Sequence, residues 1–69
     1  MTSFIERQAA GLSALNAHSR IVGDGGEPLQ DRLAGLIADL MHLCDDSDAD
    51  LPTAIITGSA YYLNEKVQP

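Results

Sequence analysis

The sequence predicts an all-α fold, a compact bundle of three helices that self-associates. Three observations carry this. Apolar residues recur at helical spacing over most of the chain, two glycine- or aspartate-rich breaks divide it into three stretches, and no stretch finds a strand partner. Short connections between such helices favour a bundle, read here as one domain over residues 1–69.

The first helix is expected over residues 3–18. Ser3 and Glu6 have capping-box spacing, with the serine as cap and the glutamate three positions on. Ile5, Ala9, Leu12 and Leu15 then fall near one face, and the alanines around them favour helix. Ile21 and Val22 are expected to tuck onto the core. Behind them Gly23-Asp24-Gly25-Gly26 marks a connection.

The second helix is expected over residues 28–45, with Pro28 in its first turn, where a missing N–H is tolerated. Leu29, Leu33, Leu36, Ile37, Leu40, Met41 and Cys44 repeat at helical spacing, and Leu43 widens the stripe. A stripe this broad can meet two neighbours, which places this helix at the centre. Asp45-Asp46-Ser47-Asp48-Ala49-Asp50 forms an acidic turn whose aspartates can cap a third helix over residues 51–66. Ile55, Ser59, Tyr62 or Leu63, and Val67 would line its inner face. Residues 53–57 also have β propensity, but a lone strand would lack a pairing partner.

A chain of 69 residues buries only about 60% of its unfolded surface on folding. Without disulfides, such domains often gain stability by oligomerising. Cys44 is the single cysteine, so no internal disulfide forms, which suits a reducing, cytoplasmic setting. The first residues show no basic, apolar signal segment, and no run approaches the roughly 18 apolar residues of a membrane span. The small residues Gly35, Gly58 and Ala60 would let helices of two copies approach closely, giving a homodimer.

The formal charge of −6 is unevenly spread. Residues 1–22 balance to +1 and residues 51–69 to zero, whereas residues 23–50 set Arg32 against eight acids. Such a field repels nucleic acid and anionic membrane and attracts basic protein surfaces.

Catalytic and metal-binding patterns are incomplete. Gly23-Asp24-Gly25-Gly26 precedes a helix, but a phosphate-binding loop ends in Gly-Lys-Ser/Thr. Here acids flank the glycines and no lysine is near, so the segment reads as a turn. Asp46, Asp48 and Asp50 have the spacing of the first alternate ligands of a calcium loop. The glycine and glutamate that loop also needs are replaced by Leu51 and Thr57. Asp39, His42 and Asp46 can share one helix face, and with Glu65 they form the weaker alternative, a metal-dependent nucleotide hydrolase completed across a dimer. His42 adjoins an apolar face and reads more readily as a packed histidine bonded to a carboxylate or tyrosine. Cys44, followed by two aspartates, lacks the positive neighbours of a reactive thiol and reads as a core residue. No cofactor is implied. Tyr61 and Tyr62 point about 100° apart on a helix, so one can pack while the other faces out.

Ala38-Asp39-Leu40-Met41-His42-Leu43-Cys44-Asp45, followed by Tyr61-Tyr62-Leu63-Asn64-Glu65, resembles a group of short proteins of bacterial genomes, phages and plasmids. These carry Asp-Leu-Leu/Met-His-x-x-Asp, an acidic turn, and His-Tyr-x-x-Glu on a last helix. The likeness spans residues 29–66. Asp39, His42, Asp45, Tyr62 and Glu65 match, while Tyr61 stands where the pattern has histidine. The resemblance implies a mobile-element setting and a helical fold, with no activity attached. The Asp-Leu-Met-His segment is also similar to helices of all-α nucleotide pyrophosphohydrolases. Their Glu-x-x-Glu pairs hold magnesium, and no such pair occurs here.

The expected function is therefore non-enzymatic: an accessory protein of a phage or plasmid that binds and inhibits a host protein. It would mask a basic nucleic-acid-binding surface; anti-CRISPR proteins and other defence inhibitors are often built at this scale. The contact surface is expected at Asp45, Asp46, Asp48 and Asp50, with Tyr61 as an aromatic anchor. A structural subunit of a larger assembly is the remaining alternative.

Overall fold

A computed structural model describes residues 4–67. It contains three helices, α1 (Phe4–Val22), α2 (Leu29–Asp45) and α3 (Leu51–Val67), and no strand among the described residues. The all-α class expected from the periodicity is thus the observed one. Residues 53–57, whose β propensity competed with helix, lie inside α3. Ser3 of the expected capping box lies outside the described residues.

Helix α1 runs four residues beyond its expected end. Ile21 and Val22 are helical, and Ile21 stands 84% exposed instead of tucking onto a core. The helix stops at Gly23, which adopts φ 82° and donates its N–H to the Ser19 carbonyl at 2.8 Å. This is a left-handed cap, the backbone state that glycine reaches without a Cβ clash. A turn follows, in which the Glu27 N–H bonds the Asp24 carbonyl at 2.9 Å. Pro28 sits just ahead of α2, not within it. Its carbonyl accepts the Arg32 N–H at 3.0 Å, opening the helical ladder.

The chain divides into two compact units, Met1–Ala38 and Asp39–Pro69. In the first, α2 returns beside α1. Among the described residues its buried ones are Leu15 and Ser19 of α1, at 3% and 5% exposure. Arg32 spans the two helices, donating from Nε to Ser19 Oγ at 3.0 Å and from Nη2 to Asn16 Oδ1 at 2.7 Å. The buried serine hydroxyl is thereby satisfied, as burial of a polar group requires. Asp24 turns toward α2, its Oδ2 3.6 Å from where a Cβ on Gly35 would stand.

The second unit is made of the end of α2, the acidic turn and α3. No residue of α2 or α3 is buried. The inner-face residues expected on α3 are therefore uncovered: Ile55 and Tyr62 are exposed, as are Leu63 and Val67. Cys44, expected in the core, is only half-buried.

Candidate functional site: the acidic turn and the face of α3

The turn between α2 and α3 is held by a serine as much as by its acids. Ser47 donates its N–H to the Cys44 carbonyl at 3.1 Å, and its Oγ accepts the Ala49 N–H at 3.1 Å. A hydroxyl bonding backbone two residues on is the usual reason serine favours turns. Sequence reading passed over Ser47, although a serine between aspartates after a helix carries that signal.

Asp50 closes the turn as the cap of α3. Its carbonyl accepts the Ala54 N–H at 3.0 Å, and its carboxylate accepts the Thr53 hydroxyl. Asp45 lies 4.0 Å from His42 Nδ1, with side chains 76% and 81% exposed. An exposed pair at that distance adds little to stability. His42 is accordingly a surface residue, not the packed histidine its apolar neighbours suggested. Asp46 and Asp48 are exposed, and neither accepts a hydrogen bond among the described residues. Of the four expected contact aspartates, one is thus structural, one pairs weakly with His42, and two are uncommitted.

Tyr61 and Tyr62 both lie exposed on α3, at 63% and 55%, so neither packs inward as adjacent positions allowed. Lys66 Nζ stands 5.4 Å from the Tyr62 ring centroid, one helical turn on. That cation–π contact engages Tyr62 and leaves Tyr61 the more open of the pair. Ile56 and Leu63 extend the exposed apolar surface. The Ser59 hydroxyl turns back onto its own helix, donating to the Ile55 carbonyl at 2.8 Å.

Asp39, His42, Asp46 and Glu65 do not form a metal-holding group. No cluster of three or more His, Cys, Asp or Glu side chains is placed for that among the described residues. No helix among the described residues is long and apolar enough to cross a membrane.

The first unit carries two clefts that sequence reading did not anticipate. An apolar groove of about 610 Å3 is lined by Ile5, Ala9, Leu12 and Leu15 of α1 with Leu29 and Leu33 of α2. A smaller cleft of about 420 Å3, at the α1–α2 turn, is lined by polar and basic side chains. The apolar periodicity of α1 predicted the groove's residues but assigned them to a covered core.

Compared with family models, curated proteins and solved structures, the chain matches none.

Proposed function

We propose that this protein acts by binding a protein partner and carries out no chemistry of its own. The observation that carries the reading is the uncovered face of α3, a 17-residue helix with no buried residue. Helices of this length draw most of their stability from packing an apolar face. Here Ile55, Ile56, Tyr61 and Leu63 stand exposed, and in this reading a partner covers them. Exposed aromatic side chains of this kind are common centres of binding energy.

The partner's chemistry follows from the segment that leads into α3. Asp46 and Asp48 present exposed, uncompensated carboxylates in that turn, which suits a basic surface. In its specific form the reading is an inhibitor, acting in the cytoplasm, that occupies a host protein's nucleic-acid-binding surface. The mobile-element setting implied by the Asp39–Asp45 and Tyr62–Glu65 resemblance supports it.

Affinity capture from the host followed by binding kinetics on the purified partner tests this. Asp46→Asn with Asp48→Asn should leave helix content unchanged and slow association more than it speeds dissociation. The residual attraction should also lose salt dependence, because exposed charges are screened over about 8 Å at physiological ionic strength. A folded double variant with an unchanged on-rate and salt slope refutes the charged contact.

The apolar groove of the first unit favours a second reading, in which a further copy of this chain covers Leu12, Leu29 and Leu33. Sedimentation at tens of micromolar separates the two. A monomer there excludes the homodimer and leaves the hetero-partner standing.

A further inference from the structure

The cleft at the α1–α2 turn gathers two of the chain's four basic side chains, Arg20 and Arg32, with Asn16, Ser19, Gly23 and Gly25. Its volume of about 420 Å3 admits a phosphate or carboxylate group. Arg32 is half-buried, and both its hydrogen bonds end on neutral oxygens, Ser19 Oγ at 3.0 Å and Asn16 Oδ1 at 2.7 Å. A guanidinium carries about five N–H donors, so most of the fork is still unused. No carboxylate among the described residues lies within ion-pair distance of it. Charges drawn out of water are normally paired, because desolvation penalises them. Here the neutral oxygens fix the plane of the fork without cancelling its charge. That is the state in which an arginine can receive two oxygens of one anion.

The loop's own acids argue against an anion when read in sequence. In the structure none of Asp24, Glu27 and Asp31 lines the cleft. Asp24 faces Gly35 of α2 instead. Gly23 and Gly25 put no side chain into the opening, and a Cβ built on either meets nothing within 4 Å. Arg20 is exposed and makes no hydrogen bond or ion pair among the described residues. It can therefore swing onto a bound group at little cost to the fold.

We propose that this cleft is an oxyanion site, in which Arg32 holds a phosphate or carboxylate group and Arg20 closes over it. The site lies in the first unit, and neither its success nor its failure bears on the acidic turn. An NMR titration of the full-length, 15N-labelled protein tests it. Sodium phosphate and sodium acetate are added separately, at pH 7 and at ionic strength held constant with sodium chloride. The expected result is a saturable shift of Arg32 Nε and the Gly25 amide with a millimolar midpoint. Tighter phosphate binding assigns a phosphoryl ligand, and tighter acetate binding assigns a carboxylate.

Arg32→Lys keeps the charge but loses the planar fork, and is expected to weaken binding about tenfold. Because Arg32 also ties α1 to α2, Arg20→Gln serves as the second variant. It should keep wild-type helix content and weaken binding about threefold, the scale of one exposed ion pair. Shifts that grow linearly without saturating mean an adventitious ion only and overturn the site. So does an unchanged midpoint in either variant that retains wild-type helix content.

Discussion

Leu15 and Ile21 belong to the same helix and have similar side-chain volumes, yet the structure assigns them opposite weights. Leu15 is 3% exposed and Ile21 84%. Replacing Leu15 by alanine removes three carbon groups from a buried site, and at about 0.8 kcal/mol each the transfer loss is about 2.4 kcal/mol. A sealed cavity would add to this, with Leu→Ala reaching about 5 kcal/mol in well-enclosed cores. Leu15 borders the open apolar groove, so the vacated space is not sealed and the added cost is small. The expected loss is therefore about 2–3 kcal/mol. Against a total stability of about 3–10 kcal/mol for 69 residues, that is at least about a fifth of the whole. Urea unfolding followed by circular dichroism measures it. With a slope near 1 kcal/mol/M for a small domain, the midpoint of Leu15→Ala should fall by about 2–3 M. Ile21→Ala should move it by less than about 0.5 M, since exposed substitutions are usually within about 0.5 kcal/mol. Equal midpoint losses in the two variants would show that Ile21 is covered in solution, and that α1 does not bury the face described.

Three further outcomes follow from local geometry. Gly23→Ala forces a Cβ into the left-handed region at φ 82° and should cost about 1–2 kcal/mol, seen as a lower thermal midpoint. Gly11→Ala and Gly58→Ala should instead each stabilise by about 0.5–1 kcal/mol. Both glycines lie inside helices, and an added Cβ meets nothing within 4 Å; a stability loss for Gly58→Ala would reveal a close helix contact there, as a self-associated form requires. Asp50→Ala removes the cap of α3 together with its bond from Thr53, and should cost about 1 kcal/mol in urea unfolding, whereas Asp48→Ala should be neutral.

The number, order and approximate ends of the helices were legible in the residues, because the signals that set them act over a few positions. Helix α2 carries the strongest apolar repeat, and it starts at Leu29, one residue after the expected start, and stops at Asp45 as expected. Gly23 stops α1 because its backbone can turn left-handed, and Asp50 starts α3 because its carbonyl and carboxylate meet the first turn. The exposed acids at positions 46 and 48 were equally readable, since a short charged turn has nowhere else to place them. What periodicity could not supply was which apolar residues are covered. Leu12 and Leu15 repeat alike, but only Leu15 is buried, because cover depends on what another helix brings to that height. The tie from Arg32 to Asn16 and Ser19 was equally out of reach, since it joins residues 16 and 13 positions apart across two helices. Local backbone chemistry thus determined the elements. The tertiary structure alone decided that an acidic chain keeps a half-buried arginine without a carboxylate, because that outcome rests on which side chains share a space and not on which share a stretch of sequence.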